Sequence, residues 1–312
     1  MDAVERALKT AVVGVGHLGQ HHARIYTELP GVELVAVADI AEACRSEVGN
    51  RLRVPAVADY RELLGQVDAV SVAVPTQLHH QIARDFLLAG ADVLVEKPIT
   101  RMLHEADDLI AVAAAGKRIL QVGHSERYNG GVQALAALVQ DPGFIEVHRM
   151  GPFPGRGTDV DVVLDLMIHD IDIILTLVKA PVTAVSAVGV PVVSDQVDIA
   201  NARLEFASGC VANITASRVT GERLRKIRVF QRDTYFVLDY AKQELHLLRP
   251  TRSGNPSTSR LSRVDIPVAR VEPLRQELMD FVSSVRSRRP PMVSGEAGRD
   301  AVAVATQIIE RL

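Results

Sequence analysis

Short apolar runs alternate with longer stretches of helical periodicity over the first part of the chain. Continuous apolar runs bounded by turn residues are typical of parallel strands that are buried on both faces. The predicted strands are residues 10–15, 33–38, 54–57, 69–74, 92–95 and 119–122, and the predicted helices are residues 18–29, 41–48, 77–89 and 103–115. This alternation predicts an α/β domain over residues 1–122, with helices on both faces of a parallel sheet.

The pattern changes in residues 123–312, where strands follow one another with few helices between them. The predicted strands are residues 144–150, 183–190, 199–206, 210–217, 226–231, 234–239 and 244–248, and the predicted helices are residues 162–178, 273–285 and 297–312. Two Gly-, Pro- or Ser-rich stretches, residues 151–161 and 249–263, are predicted to be loops. This second domain is therefore expected to be α+β, with an open, mainly antiparallel sheet.

Composition narrows the class of protein. The formal net charge of the 312 residues is -3 and Trp is absent, which argues against nucleic acid or an anionic membrane as a partner. The two cysteines, Cys44 and Cys210, lie too far apart in sequence for a CxxC metal site. They are also not a disulfide framework, which favours a reduced protein in the cytoplasm. Because no run of eighteen apolar residues occurs, we expect no membrane span.

A glycine-rich loop joins the first strand to the first helix. Gly14, Gly16 and Gly19 form a G-x-G-x-x-G pattern with His17 and Leu18 between the last two glycines. In this context the glycines allow a tight turn, close approach of a pyrophosphate and close packing of helix on strand, which is typical of a Rossmann dinucleotide site. The alternative is a glycine-rich turn that only connects two elements.

An acidic residue, Asp39, ends the second strand, 20 residues after Gly19. A carboxylate there can accept hydrogen bonds from the adenosine ribose and repels a 2′-phosphate, so NAD is favoured over NADP. Ile40 offers no cation for a 2′-phosphate, and Arg45 is a weak substitute. Alternatively, Asp39 caps the helix that begins near Ala41.

The tripeptide Glu96-Lys97-Pro98 follows the fifth strand of the first domain. Because ligands lie beyond the carboxyl ends of parallel strands, Lys97 is expected near the reacting end of a dinucleotide. A lysine there can polarise a hydroxyl or share its proton. A surface lysine at a strand end is the alternative.

Three polar residues of the helix predicted over residues 162–178, Asp165, His169 and Asp172, are spaced i, i+4 and i+7 and share one face. A carboxylate one turn from a histidine fixes its tautomer, as a general base for alcohol oxidation requires. The three residues are alternatively solvated polar positions or ligands of a divalent metal. Asp170 lies on another face and is expected to be structural.

These features together resemble the Gfo/Idh/MocA family of oxidoreductases over nearly the whole chain. Further matching passages are Val74-Pro75-Thr76, residues 123–129 (GHSERYN) and residues 165–172 (DLMIHDID). The last passage is similar to the family pattern D-x-G-x-H-x-x-D, with Met167 in place of the glycine.

The resemblance implies an NAD-dependent dehydrogenase with Lys97, Asp165 and His169 as its catalytic group. It also implies that Lys97 and His169, from the two domains, converge at the nicotinamide, that the Lys97–Pro98 bond is cis, and that the open sheet packs in a homo-oligomer, a dimer or a tetramer. The residues implied to border the cofactor are Pro75, Thr76, His79, Glu96 and Lys97, and those implied to contact substrate are Arg127, Asn129, Asp165 and His169.

Within the family, residues 160–175 and 197–219 are most similar to members that oxidise the 3-hydroxyl of UDP-N-acetylglucosamine in lipid A precursor synthesis. A nucleotide-sugar substrate is compatible with basic residues that could meet a diphosphate. These are Arg156 with Thr158, and the stretch Arg218, Arg223, Arg225, Lys226 and Arg228. Each is alternatively part of a solvated strand face or turn.

Three other functions stay open at this point. The chain can be an inositol or free-sugar dehydrogenase, an NAD-dependent glycosidase that oxidises its substrate only transiently, or a dinucleotide-sensing regulator without turnover. A regulator is expected to have lost its catalytic residues, whereas Lys97 and His169 are both present.

Overall fold

The computed structural model describes residues 6–153, 161–251 and 261–312. The chain divides into two compact units. Unit 1 contains Met1–Ser125 and Leu274–Val302, and unit 2 contains Glu126–Pro273 and Ala303–Leu312.

Unit 1 is built on a six-stranded parallel sheet in the order β3-β2-β1-β4-β5-β6. Its strands are β1 (Leu8–Val13), β2 (Val32–Ala38), β3 (Ala56–Val57), β4 (Ala69–Val72), β5 (Asp92–Glu96) and β6 (Leu120–Gly123). The helices between them are α1 (Gly19–Glu28), α2 (Glu42–Leu52), α3 (His79–Leu88) and α4 (Leu103–Gly116). This is the predicted Rossmann architecture, and β4 and β5 are buried along their whole length, as continuous apolar runs require.

A C-terminal helix completes the core of unit 1. Helix α7 (Pro273–Ser287) buries four apolar side chains in the same cluster as Val12 of β1 and Tyr26 of α1. These side chains are Leu278, Phe281, Val282 and Val285. The sequence pattern had placed all of residues 123–312 in the second domain, whereas the compact units assign residues 274–302 to the first. Local periodicity defines the buried face of α7 but does not say which sheet covers it.

Unit 2 is built on an eight-stranded sheet in the order β14-β13-β12-β11-β7-β10-β9-β8. Its strands are β7 (Pro142–Met150), β8 (Val182–Val190), β9 (Ile199–Phe206), β10 (Val211–Ser217), β11 (Leu224–Gln231), β12 (Thr234–Asp239), β13 (Glu244–Pro250) and β14 (Leu261–Ile266). All neighbours are antiparallel except β7 and β10, so the sheet is mixed but mainly antiparallel, as predicted. Buried and exposed residues alternate along β9, which is typical of a sheet covered on one face.

Helices α5 (Gly130–Leu138), α6 (Ile168–Val178) and α8 (Gly295–Ile309) complete the set. The sequence pattern missed α5, because the helix opens on two glycines; the Asn129 side chain caps it by accepting a hydrogen bond from the Gly131 amide. The pattern also assigned residues 261–263 to a loop. These residues instead begin β14, an edge strand with largely exposed side chains. Sparse burial leaves such a strand without a hydrophobic signature.

No helix among the described residues is both long enough and apolar enough to cross a lipid bilayer.

Candidate active site

The three glycines of the loop after β1 have different surroundings. Gly14 has a φ of +82° and a Cβ there would lie 2.5 Å from the carbonyl oxygen of Ala73, so only glycine fits. A Cβ on Gly19 would lie 1.7 Å from the carbonyl oxygen of Gly14, whereas a Cβ on Gly16 would meet no atom within 4 Å. Gly14 and Gly19 are therefore required by the fold, and Gly16 leaves open space at the loop, as a pyrophosphate site needs.

The Asp39 carboxylate connects the end of β2 to this loop. Its Oδ2 accepts a hydrogen bond from the Val15 amide at 2.8 Å, and its Oδ1 accepts one from the Ala41 amide at 2.8 Å. Asp39 therefore flanks α2 through the Ala41 amide but does not cap it, because the helix begins at Glu42 and has no side-chain cap; the alternative interpretation is wrong in this respect. It is also only half-buried, which leaves its other acceptor positions available to a ribose.

Ile40 and Arg45, next to Asp39, bear on the choice between NAD and NADP. Ile40 is 89% exposed, and a guanidinium nitrogen of Arg45 lies 3.1 Å from the Ile40 carbonyl oxygen, to which it donates. His17 and Leu18 are exposed immediately before α1.

The His79 side chain connects the segments that follow β4 and β5. Its Nδ1 lies 2.9 Å from the Pro98 carbonyl oxygen and its Nε2 lies 2.9 Å from the Val74 carbonyl oxygen. Burial lowers the pKa of His79 despite these two contacts. Pro75 is exposed and Thr76 is half-buried in the turn between β4 and α3. His79 thus has a structural task at the strand ends that motif comparison did not indicate.

Glu96 holds the main chain at Lys97. Its Oε2 accepts a hydrogen bond from the Lys97 amide at 3.1 Å, and the Lys97–Pro98 bond is cis, as the resemblance implied. Burial opposes ionisation of Glu96, but the hydrogen bond with His22 and the charge of Lys97 outweigh it and hold the pKa of Glu96 below its ordinary value. Glu96 is therefore an anion behind the candidate catalytic lysine.

A buried polar network, which the sequence motifs did not predict, lies behind Glu96. The Nε2 of His22 lies 3.0 Å from Glu96 Oε1, its Nδ1 lies 3.1 Å from Ser71 Oγ, and the Tyr26 hydroxyl lies 2.8 Å from the same Ser71 oxygen. Glu277 of α7 also lies close: one imidazole nitrogen of His22 and one carboxylate oxygen each of Glu96 and Glu277 lie within 4.8 Å of one another. The available signal was the i, i+4 spacing of His22 and Tyr26 on α1, which places both on its buried face.

In unit 2, the predicted catalytic helix is not α-helical throughout. Val163–Met167 is a π-helix and α6 follows it, so a constant 100° per residue does not hold between Asp165 and His169. The Oδ1 of Asp161 accepts hydrogen bonds from the first two π-helical amides, at 2.8 and 3.1 Å. Short π-helical segments occur frequently at functional sites. Asp165 and His169 are both half-buried, and Met167 between them is fully buried.

The residues predicted to contact substrate have partners within unit 2. Arg127 donates to the buried Asp172 carboxylate at 3.1 Å and to the Thr176 hydroxyl. Asn129 donates to the Tyr240 carbonyl oxygen at 3.0 Å in addition to capping α5. Asp172 therefore binds Arg127, and a role in substrate contact stays a prediction for Arg127 and Asn129. The predicted anion-binding residues Arg156 and Thr158 lie outside the described residues.

A buried ion pair anchors the residue next to His169. Arg149 of β7 donates to both carboxylate oxygens of Asp170, at 2.7 and 3.0 Å, and to Glu126 at 3.2 Å. Burial opposes the charge of Arg149, but Asp170 and Glu126 outweigh it and raise its pKa above the ordinary value. This contact agrees with the structural role expected for Asp170, and it fixes the backbone that carries His169.

The glycine loop offers a matched pair of substitutions. We expect Gly16→Ala to leave the free energy of unfolding unchanged but to raise the Kd for the dinucleotide about tenfold or more, because its Cβ enters the open space. We expect Gly19→Ala to lose about 1–3 kcal/mol of stability, because its Cβ would overlap the Gly14 carbonyl. Urea unfolding and calorimetric titration with NADH measure both effects. Equal loss of stability in the two variants would contradict this assignment.

Comparison with known proteins gives the same domain pattern. Residues 8–124 match the model of an oxidoreductase family with an NAD-binding Rossmann fold, and residues 148–234 match the model of the GFO/IDH/MocA C-terminal domain. The chain is 37% identical over 302 residues to UDP-N-acetylglucosamine 3-dehydrogenase of Acidithiobacillus ferrooxidans, covering 96% of each protein. It is 28% identical to myo-inositol 2-dehydrogenase of Thermotoga maritima, covering 95% of this chain and 93% of that one.

A solved structure of the Acidithiobacillus ferrooxidans UDP-N-acetylglucosamine 3-dehydrogenase superposes with a TM-score of 0.91 at 36% identity, covering 98% of this chain and 97% of that one. Matches to both domain models, together with identity of this extent along nearly the full length, establish the family. The chain belongs to the Gfo/Idh/MocA family, whose members are NAD-dependent dehydrogenases that act on hydroxyl groups.

Proposed function

We propose that this protein oxidises the 3-hydroxyl of UDP-N-acetylglucosamine with NAD as acceptor, a step in lipid A precursor synthesis. The observation that carries the proposal is the near full-length similarity to the UDP-N-acetylglucosamine 3-dehydrogenase of Acidithiobacillus ferrooxidans, at 37% identity. The more distant inositol dehydrogenases make a polyol the second candidate substrate. Either substrate presents a secondary hydroxyl, so the chemistry required of the protein is the same.

The chain supplies the residues that this reaction needs. Bound NAD supplies the hydride acceptor. We assign Lys97 to polarise the reacting hydroxyl oxygen, a role supported by the hydrogen bond through which Glu96 holds its main-chain amide. His169 takes the hydroxyl proton, and Asp165 stabilises the imidazolium that results. The ion pair between Asp170 and Arg149 supports this assignment, because it holds the helix at His169 in place.

NAD rather than NADP is the proposed cofactor. We expect a 2′-phosphate to approach the half-buried Asp39 carboxylate, whose negative charge would disfavour it. Arg45 already donates to main-chain carbonyls, and Ile40 carries no charge. The loop at Gly14–Gly19 fits a dinucleotide, since Gly14 takes a left-handed conformation and Gly16 leaves space beside it.

We also propose that the chain forms a homo-oligomer, a dimer or a tetramer. The proposal is supported by the sheet of unit 2, where alternate residues of β8 and β9 leave one face exposed.

The test is a screen of NADH formation by absorbance with UDP-N-acetylglucosamine, UDP-glucose, free N-acetylglucosamine and myo-inositol, each with NAD and with NADP. We expect the highest kcat/KM for UDP-N-acetylglucosamine, and at least about tenfold preference for NAD, equivalent to about 1.4 kcal/mol. The oxidised product is then identified by mass spectrometry. Activity confined to myo-inositol would overturn the proposed substrate. Cleavage of a glycosidic bond without net NADH would instead identify a glycosidase.

A further inference from the structure

A basic groove lies where β11 begins and β12 ends, wholly within unit 2. Its volume is about 390 Å³, and its lining residues are Arg223, Leu224, Arg225, Lys226, Asp239, Ala241 and Lys242. This volume falls within the roughly 300–1,000 Å³ of small-molecule sites. Four cationic residues and one carboxylate therefore line the groove, which gives it an excess of positive charge although the whole chain is slightly acidic.

The arginines near the groove are not equivalent. Arg218 is buried against Asp198 at 2.8 Å, and Arg228 binds Glu146 at 2.7 Å. Both were candidates for binding a diphosphate, and both are instead committed to carboxylates of unit 2. This leaves Arg223 and Arg225 from the same stretch, with Lys226 and Lys242 beside them.

The groove cations have little neutralising charge from the protein. In the part of the chain that the structure describes, no carboxylate lies within 4.0 Å of the charged nitrogens of Arg223, Lys226 or Lys242. Arg225 has Glu126 at 3.9 Å, but the same Glu126 oxygen lies 3.2 Å from Arg149. One carboxylate is thus shared by two guanidinium groups, so a bound anion would relieve repulsion rather than compete with existing pairs.

The electrostatics of Arg225 agree with this charge count. Burial lowers its pKa, and the nearby charges of Arg149 and Arg223 lower it further, while Glu126 and Asp170 act in the opposite direction. Arg225, whose side chain is 48% exposed, is therefore protonated beside two other guanidinium groups. A group in this environment gains from an anionic ligand in hydrogen-bond contact.

Strand register connects the groove to the candidate catalytic residue. Arg225 of β11 lies directly opposite Arg149 of β7, and Arg149 binds Asp170, which follows His169 in the chain. Arg225 and Arg149 therefore share the face of the sheet that carries α6, one buried ion pair away from His169. A ligand anchored at Arg225 can extend toward this helix without leaving unit 2.

We propose that Arg223 and Arg225 bind the diphosphate of a nucleoside-diphosphate sugar, with Lys226 and Lys242 adding positive charge at the groove. The inference rests on the proposed function, because it names the substrate class as a sugar nucleotide rather than a free sugar or inositol. Arginine is suited to this task, since its planar guanidinium bonds two phosphate oxygens at once. Asp239 at the groove edge opposes an anion, but its charge is outnumbered.

The experiment is calorimetric titration of the NAD-saturated protein with UDP, pyrophosphate and UMP. Saturation with NAD keeps these anions from the dinucleotide site. We expect UDP and pyrophosphate to compete for one site and UMP to bind more weakly. Arg223→Gln and Arg225→Gln should each weaken UDP binding about tenfold, and Arg225→Lys should restore part of it. Arg203→Gln, which removes an exposed arginine paired with Glu205 on β9, is the control and should not change UDP affinity.

Two further measurements separate a binding role from a folding role. Raising the ionic strength should weaken UDP binding to the unmodified protein more than to Arg223→Gln/Arg225→Gln, because fewer charges remain to be screened. Urea unfolding should give the same midpoint for both proteins. The same UDP affinity in the double variant as in the unmodified protein, or no UDP binding to either, would overturn the assignment of the groove.

The two proposals fail in different ways. If the double variant loses UDP binding but no sugar nucleotide reduces NAD, the groove is an anion site and the proposed reaction is wrong. If UDP-N-acetylglucosamine is oxidised with an unchanged KM in the double variant, the reaction is right and the groove does not bind its diphosphate.

Discussion

Replacing His169 by alanine is expected to lower kcat by about two or more powers of ten, the scale on which general acid–base catalysis operates. The substitution removes the only proposed acceptor of the hydroxyl proton. Because the neighbouring Asp170–Arg149 pair remains, α6 should keep its place and NADH should bind as before. Steady-state rates with saturating UDP-N-acetylglucosamine and NAD, together with NADH titration, measure this.

Lys97→Ala should reduce kcat to a similar extent, also with little change in fold. The hydrogen bond that Lys97 makes to Glu96 uses its main-chain amide, so alanine retains it. Exposed or half-buried residues of the same types provide the controls: Lys9→Ala for unit 1 and His148→Ala for unit 2 should leave kcat within about twofold. Rates near those of the unmodified protein in both His169→Ala and Lys97→Ala would reject the catalytic assignment.

The sequence predicted the first six strands well, for a physical reason. Strands β4 and β5 are buried on both faces, so their apolar runs are continuous and their boundaries are turn residues. The glycine loop was likewise predictable, because the demands on Gly14 and Gly19 come from atoms of the loop itself and of the adjacent strand end. The positions of Asp39 and Lys97 were predicted from a topological rule: parallel strands bring their carboxyl ends to one edge of the sheet.

Long-range partners were not predictable in the same way. Asp172 was grouped with Asp165 and His169 by helical spacing, but it binds Arg127, 45 residues earlier in the chain. The spacing also assumed a regular α-helix, which the π-helical turn at Asp165 breaks. Local periodicity records only which side of an element is buried, so it cannot say what lies against that side.

The network behind Glu96 shows the same limit in unit 1. His22, Ser71 and Glu96 come from three separate elements and meet only when the sheet and α1 are assembled. Each residue alone has an ordinary environment in the sequence: an amphipathic helix for His22, and apolar strands for Ser71 and Glu96. Helix α7 likewise has a clear apolar face, yet only tertiary packing assigns it to the core of unit 1.

The second large effect concerns the ion pair beneath the catalytic helix. Arg149 and Asp170 are 3% and 0% exposed, and both carboxylate oxygens accept hydrogen bonds from the guanidinium. Asp170→Asn removes the bidentate countercharge and leaves the buried Arg149 with Glu126 at 3.2 Å as its remaining carboxylate, so we expect unit 2 to lose about 3–5 kcal/mol of unfolding free energy. We also expect kcat to fall, since Asp170 adjoins His169.

Urea unfolding followed by circular dichroism measures this loss of unfolding free energy. Two further variants provide the comparison. Glu205→Gln breaks the exposed pair with Arg203 in the same sheet and should cost less than about 1 kcal/mol, because water screens that pair. Arg149→Met combined with Asp170→Leu removes both charges of the pair and should recover much of the stability lost by Asp170→Asn, since no buried guanidinium is left behind and Glu126 keeps Arg225 at 3.9 Å. A loss below about 1 kcal/mol for Asp170→Asn would contradict a buried ion pair as the anchor of this helix. The double variant is expected to separate two roles of the pair if it recovers stability but not kcat. The first role is to compensate a buried charge, which affects the unfolding free energy, and the second is to position His169, which affects kcat.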